Sequence, residues 1–160
     1  MKKKNTKIGD IFVVKLDNGH KKYFQLIAFD VTQLNSDVIR VFKKKYSENE
    51  GLILSEIISD EVDFYAHCIT IFGIKLGFWE KVGNIQEVGD VNILFRSSAD
   101  HPKIDISNNW WVWSVNKPQQ YVGKLEGENL HAEIGSVIPP DSIVHRIKTG
   151  SYDFIYPGFD

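Results

Sequence analysis

Cysteine is nearly missing from this sequence, whose 160 residues include a single one, Cys68. One cysteine excludes a disulfide within the chain, so packing and hydrogen bonds must hold the fold. Motifs that carry catalysis are missing too, because the sequence has no glycine-rich phosphate loop, no serine-nucleophile elbow and no paired-carboxylate motif of recognisable spacing. The sequence therefore predicts no catalytic residues, no cofactor and no enzymatic activity.

Patterns of metal ligands are also missing. The five histidines form no zinc-binding spacing with cysteine, and no His-Glu-x-x-His motif occurs. His131 and Glu133 would share one face of a strand, but such a pair of possible ligands arises easily by chance. We therefore predict no metal site and interpret this pair as surface residues.

Long apolar runs are absent as well, and none reaches the length of a membrane-spanning helix. The lysines at positions 2–4 are similar to the start of a signal peptide, but polar residues follow where that peptide needs an apolar core. The sequence therefore predicts a cytoplasmic protein with no membrane partner.

Charge is distributed unevenly along the chain. The net charge of -2 divides into +5 over residues 1–22, from seven lysines and two aspartates, and -7 over the remainder, from 12 basic and 19 acidic residues. We interpret residues 1–7 as a flexible basic leader and residues 8–160 as a single domain. Nucleic-acid binding requires a basic surface, so the acidic remainder argues against a nucleic-acid partner.

Aromatic residues are abundant, with ten Phe, six Tyr and four Trp. Aromatic and β-branched residues favour strands. The runs at residues 11–16 and 23–29 are apolar on both faces, which is typical of a sheet that is covered on both sides or curled into a barrel. We predict a β-rich α+β fold, either a strongly bent antiparallel sheet or a half-open SH3-like barrel, with one to three short helices.

The clearest local signal is Asn18-Gly19, which separates these first two runs. Both central residues of a type I′ turn need positive φ, which Gly adopts freely and Asn tolerates better than most residues. The dipeptide therefore predicts a hairpin that joins the first two strands.

Further helices and strands are predicted from residue type and from the residues that begin or end such elements. Extended segments are expected at 37–42, 62–69, 78–83, 90–95, 110–115 and 119–125. Thr70–Leu76 is expected to form a brief helical turn stopped by Gly77, and a short helix capped by Asp141 or Ser142 is expected near the end. Leu52–Ile58 fits either a strand or a short helix.

Cys68 directly follows His67, a combination found in thiol hydrolases. Neighbours on a strand point to opposite faces of the sheet, so this histidine could not assist this cysteine. A distant histidine, such as His101, His131 or His145, could approach Cys68 in the fold, so a cysteine-dependent hydrolase stays open as an alternative. A lone cysteine in an apolar strand is more often a small buried hydrophobic residue.

Four carboxylates cluster at Glu56, Asp60, Glu61 and Asp63. A cluster of this kind is typical either of a solvated face beside a turn or of an acidic contact surface for a basic partner. We hypothesise that these four residues bind a partner.

Trp110-Trp111-Val112-Trp113 predicts a strand on which Trp111 and Trp113 share one face. Tryptophans fill the layers between sheets, and they are also favoured at the energetic centres of protein interfaces. We hypothesise that Trp111 or Trp113 is exposed and anchors a protein partner.

Residues 9–25 carry the pattern Gly-Asp-Ile-Phe-x-x-x-Leu-Asp-Asn-Gly followed by Tyr23 and Gln25. This pattern resembles the N-terminal signature of the immunity protein 26 family of bacterial polymorphic toxin systems. A second block, Gly77–Gly83, is similar to the family's glycine-x-tryptophan stretch, and looser matches lie at Asn92–Arg96 and Tyr121–Leu125. The resemblance spans residues 8–125 discontinuously.

The resemblance implies an immunity protein, which binds a cognate toxin domain and blocks its activity by occlusion, without catalysis. Two alternatives come from other classes of protein. One is a small β-barrel module that binds nucleic acid or a peptide through the lysine leader and the aromatic residues. The other is the hydrolase that would use Cys68.

Overall fold

The computed structural model describes residues 5–160, which form an α+β fold with two β-sheets. The larger sheet has the order β5-β3-β2-β1-β6, with β4 paired to β2, and all of its neighbouring strands are antiparallel. Its strands are β1 (Asp10–Lys15), β2 (His20–Asp30), β3 (Ser36–Phe42), β4 (Tyr46–Ser47), β5 (Val62–Cys68) and β6 (Glu80–Asn84).

The smaller sheet has the order β10-β7-β8-β9. Its strands are β7 (Leu94–Ser98), β8 (Trp110–Ser114), β9 (Gln120–Gly123) and β10 (Glu133–Ile134). Strand β10 runs parallel to β7, and the other pairs are antiparallel. The two sheets do not close into a barrel, so the predicted β-rich α+β class is confirmed in its bent-sheet form.

Bends in the larger sheet coincide with β-bulges. On the β2–β3 pair, Leu26 faces Ile39 and Ala28 faces Val38, so one residue of β2 is inserted between the two pairs. An inserted residue increases the local twist and bends the strand. Further irregularities occur where β1 meets β6 and where β3 meets β5.

The β1–β2 hairpin is present at the predicted place, and its turn is one residue longer than a type I′ turn. The Leu16 N–H donates to the His20 carbonyl oxygen at 2.8 Å, which leaves three residues, 17–19, in the turn. Asn18 has φ 66° and Gly19 has φ 73°. Both residues therefore adopt the positive φ that the dipeptide predicts.

Three short helices lie within the described residues: α1 (Leu54–Ile58), α2 (Thr70–Lys75) and α3 (Pro140–Thr149). The ambiguous segment before residue 59 is thus a helix, and α2 ends just before Gly77, which has φ 80°. Helix α3 begins without a side-chain cap, so the predicted capping role of Asp141 or Ser142 is wrong. The fixed φ of proline suits the first helical position, and Pro140 starts the helix there.

No helix among the described residues is long and apolar enough to cross a membrane. Of the predicted basic leader, residues 1–4 lie outside the described residues. The hydroxyl groups of Thr6 and Thr70 are hydrogen-bonded at 2.7 Å, and the Lys7 N–H donates to Asp10 Oδ2 at 2.9 Å. These contacts hold residues 6 and 7 against the folded part of the chain.

One face of the larger sheet, here called the front face, packs against α3. Phe12 and Phe24 are fully buried, and their rings stack at 4.9 Å between centroids. Trp79 meets Phe24 edge-on, also at 4.9 Å, and Ile143 and Ile147 of α3 belong to the same apolar cluster. Ile143 and Ile147 therefore form the apolar face of α3.

The opposite face, here called the back face, is covered in two places. At one end Ile57 of α1 packs with Tyr23 and Phe42. At the other end Phe95 and Trp113 of the smaller sheet pack with Ile27, Ala28 and Val38. Both faces of the larger sheet are therefore buried, as its two apolar faces predict.

Residues 85–93, here called the crossing segment, run between these two covers on the back face. Gln25 Nε2 donates to the carbonyl oxygens of Ile85 (3.0 Å) and Glu87 (3.1 Å), and Arg40 also donates to Glu87 O (3.1 Å). Buried side chains therefore satisfy the backbone of this segment in place of a neighbouring strand. The strand expected at 90–95 begins only at Leu94, where pairing with β8 starts.

Candidate partner-binding surface

The four carboxylates of the predicted acidic surface lie on α1, in the turn after it and at the start of β5, and their environments differ. Asp60 accepts hydrogen bonds from two backbone N–H groups, at 2.7 and 2.8 Å. Exposed Glu61 lies 3.2 Å from Lys43. Glu56 and Asp63 are exposed, and neither forms an ion pair within residues 5–160. Glu56 and Asp63 thus keep their charge available.

The two candidate anchor tryptophans have different exposures. Trp113 is 3% exposed, and its indole N–H donates to Asp30 Oδ2 at 3.0 Å, so its ring lies in the core. Trp111 is half-buried and packs edge-on against Tyr121, which is 53% exposed. Of the two tryptophans, Trp111 is therefore the more accessible.

Asp30 is a buried carboxylate that connects the two sheets. It accepts hydrogen bonds from His67 Nε2 at 2.8 Å, from Trp113 Nε1 at 3.0 Å and from the backbone N–H of Asn116 at 3.1 Å. Burial raises the pKa of Asp30, but these hydrogen bonds outweigh burial and leave its pKa below the usual value. Asp30 is therefore an ionised acceptor inside the protein.

His67 shares this buried position, with both side chains of the pair fully inaccessible. Burial lowers the pKa of His67, while Asp30 opposes that shift. Among the described residues, the His67 Nδ1 atom has no hydrogen-bond partner. A neutral ring with its proton on Nε2 satisfies Asp30 and avoids a buried, unpaired N–H at Nδ1.

Sequence reasoning missed this group of side chains. His67 lies 37 residues after Asp30, and Trp113 lies 83 residues after it. No local spacing in the sequence therefore connects Asp30 with the other two residues. The available signal was one polar residue beside or within each of two otherwise apolar runs, Asp30 after residues 23–29 and His67 within residues 62–69. That signal is common in strands that end at a turn.

Cys68 lies on the front face, and His67 lies on the back face, as the alternation of strand residues predicts. Burial, with a smaller contribution from Asp37, raises the pKa of the Cys68 thiol well above its usual value. A nucleophilic cysteine needs the reverse, an accessible sulfur with a lowered pKa. Cys68 is therefore placed as a buried apolar residue.

A groove of about 350 Å³ lies where β5 approaches β7 and β10. Nine residues line it: Val62, Asp63, Tyr65, Asn92, Ile93, Leu94, Glu128, His131 and Glu133. Asp63 is thus the member of the predicted acidic surface that reaches a concave site. Within residues 5–160, no group of three or more His, Cys, Asp or Glu side chains is arranged to hold a metal.

A second concave site carries the opposite charge. This cleft, of about 250 Å³, lies beside the turn of the β1–β2 hairpin and includes Lys22, Lys45 and Lys148. Lys148 lies 3.6 Å from Asp17, which also lines the cleft. The charged residues that line the groove beside β5 are thus mainly acidic, and those that line the cleft beside the hairpin are mainly basic.

A family model described as Immunity protein 26 matches residues 7–104 of the 160-residue chain. The match includes the whole of the larger sheet and β7, and it contains the blocks at residues 9–25, 77–83 and 92–96. The block at residues 121–125 lies beyond the matched part. No curated protein and no solved structure matches the chain.

Proposed function

We propose, because the chain belongs to the Immunity protein 26 family, that it acts in the cytoplasm as an immunity protein and neutralises a cognate toxin domain. It binds that domain and occludes the toxin's active surface, without catalysis of its own. The observation that carries the proposal is the family match over more than half of the chain, residues 7–104.

The exposed carboxylates support a role in attracting a basic partner. Glu56 and Asp63 have no ion-pair partner among residues 5–160, and Glu61 forms an ion pair only with the exposed Lys43. Asp60 contributes by fixing the turn between them through its two backbone hydrogen bonds. Exposed charges of one sign accelerate association with an oppositely charged protein, and salt weakens that effect.

Trp111 supports a role as an apolar anchor on a separate part of the surface. The ring is half-buried against Tyr121, so a partner that covers both aromatic residues would remove much apolar surface from water. Tryptophan is among the residues that dominate binding energy at interfaces. Trp113 holds the strand of Trp111 in place through its buried hydrogen bond to Asp30.

The test starts from the neighbouring reading frames, which should encode a large secreted protein with a C-terminal toxin domain. Co-expression of this chain with that toxin domain should restore growth, and the two purified proteins should form a complex. Cell death despite abundant folded immunity protein would contradict the proposal.

Variants then identify the contact surface. Glu56→Lys with Glu61→Lys should slow association about tenfold at low salt, because attraction becomes repulsion. Asp60 is left unchanged in this variant because it holds the turn. Lys45→Glu in the basic cleft is the matched charge reversal and should leave association unchanged. Trp111→Ala should accelerate dissociation, and equal rates in all variants would remove both contact hypotheses.

A further inference from the structure

The groove beside β5 has features that select one kind of partner side chain. We propose that it receives an arginine or lysine side chain of the toxin domain. This inference rests on the proposed immunity function and names the chemical group that the partner presents. It differs from the general acidic attraction because it concerns one concave site with its own walls and floor.

The floor of the groove is apolar and partly covered. Val62, Tyr65, Ile93 and Leu94 are all half-buried and line the site. The aliphatic part of an arginine or lysine side chain packs on such a floor while its charged end stays at the rim. A guanidinium group can also lie against the ring of Tyr65, as arginine does on aromatic faces.

The rim of the groove is acidic, and of its three carboxylates Glu133 is the one that pairs with a cation, Arg146, among the described residues. Asp63, Glu128 and Glu133 line the site, whereas none of the nine lining residues is a lysine or an arginine. Within residues 5–160, neither Asp63 nor Glu128 forms an ion pair. A positively charged side chain is the group that complements this arrangement.

One wall of the groove is the start of β5, where a β-bulge lies. Val41 pairs with Phe64 and Phe42 pairs with Val62, so Asp63 is an extra residue on β5. Asp63 and Tyr65 lie two residues apart and share a face of the strand. A bulge re-aims the preceding side chain, and Val62 lines the groove together with Asp63 and Tyr65.

The opposite wall is also held in place before a partner arrives. Glu133 belongs to β10, pairs with Phe95 in the ladder, and its carboxylate lies 3.3 Å from Arg146 of α3. Burial raises the pKa of Glu133 despite Arg146, so a second cation in the groove would further stabilise its ionised form. A preformed wall reduces the ordering that binding requires.

A small probe tests the groove without the toxin. N-acetyl-arginine methylamide should shift the amide resonances of Val62, Tyr65 and Ile93 in a titration of the isotope-labelled protein. N-acetyl-citrulline methylamide, which has a similar shape and no charge, should cause no comparable shifts. Asp63→Asn with Glu128→Gln should weaken the arginine probe at least fivefold, and the matched variant Glu48→Gln should not. Equal shifts with both probes, or shifts elsewhere only, would overturn the inference.

The toxin complex provides a second, separable test. If the wild-type chain protects cells, Asp63→Asn with Glu128→Gln should raise the dissociation constant about tenfold or more, while circular dichroism shows an unchanged fold. Unchanged affinity of this variant would overturn the inference and leave the proposed function intact. If the wild-type chain does not bind the toxin, the proposed function fails, and the titration with the arginine probe alone decides the inference.

Discussion

The two faces of the larger sheet are both buried, but they are held by different means. The front face is an apolar layer in which Phe12, Phe24 and Trp79 pack ring against ring. The back face is interrupted twice by buried polar groups, centred on Arg40 and on Asp30. On the front face ring packing predominates, and a buried hydrogen bond from Trp79 Nε1 to the Thr70 carbonyl oxygen (2.9 Å) supplements it. Directed hydrogen bonds are needed where several distant segments must be assembled.

Arg40 illustrates the demands of the back face. Its Nε atom donates to Gln25 Oε1 at 2.9 Å, and its guanidinium lies 5.1 Å from the ring of Phe42. Burial lowers the pKa of Arg40, yet an arginine stays charged in proteins. The acceptors that stabilise this buried cation are amide and backbone oxygens, so Arg40 fixes the crossing segment in one position.

The largest expected effect comes from removal of the Asp30 carboxylate. Asp30→Ala should lower the free energy of unfolding by about 2–6 kcal/mol, because it leaves the buried N–H donors of His67 and Trp113 unpaired, each at a cost of about 1–3 kcal/mol. Urea denaturation measures this loss. Asp30→Asn keeps one oxygen acceptor and should therefore lower the free energy of unfolding by less. Asp105→Ala, on the surface, should not change it measurably. Near-wild-type stability of Asp30→Ala would show that the back face is held by packing as well.

The next effect tests the front face by adding one carbon atom. A Cβ at Gly73 would lie 1.9 Å from the ring of Trp79, so Gly73→Ala should destabilise by about 1–3 kcal/mol. The same substitution in an open helix stabilises by about 1 kcal/mol. Thermal unfolding measures this loss of stability. Gly51→Ala is the control, because a Cβ at Gly51 would have no atom within 4 Å. Adding Trp79→Phe should recover part of the loss, and failure to recover any would refute the steric cause.

The smallest effect is a pH dependence confined to the back face. The pKa of His67 is lower in the folded protein than its ordinary value of 6.5, so below pH 6.5 the unfolded chain binds a proton that the folded chain does not. The contribution of neutral His67 to the free energy of unfolding is therefore fully present above pH 6.5. It falls as the pH drops, by at most about 1.4 kcal/mol per pH unit, until the pKa of His67 in the folded protein is reached. Denaturation at several pH values measures the slope.

His67→Gln provides the control for this pH dependence. The glutamine amide can donate to Asp30 but does not titrate, so the slope just below pH 6.5 should decrease. Asp30, whose pKa is lowered in the folded state, contributes a separate loss only below its ordinary value of 3.8. An identical slope in the variant would assign the effect to other groups.

Elements with strong local signals could be predicted from the sequence. The hairpin at Asn18-Gly19, the strand at Trp110 and the apolar face of α3 follow from turn chemistry and residue type. The start of β7 at Leu94 could not be predicted, because it depends on where pairing with β8 begins in the fold. Trp113 is buried because it reaches Asp30 of the larger sheet, whereas Trp111 packs against Tyr121. No local pattern in the sequence specifies these tertiary contacts.

The same limit applies to the candidate site. The acidic cluster was visible in the sequence, but the pairing of Glu61 with Lys43 depends on strands that lie side by side only in the fold. The groove was not visible in the sequence, since Asp63 and Glu128, which both line it, lie 65 residues apart along the chain. Tertiary placement decides which charges remain available to a partner.

The order of the elements along the chain has a consequence for the timing of folding. All strands of the larger sheet have been synthesised by residue 84, but α3, which covers the front face, begins only at Pro140. A growing chain on the ribosome therefore carries an uncovered apolar front face until α3 has been made. Glu128 and Glu133 of the groove also follow the larger sheet in sequence. The proposed binding of an arginine or lysine in the groove would then begin only after these later elements have been made.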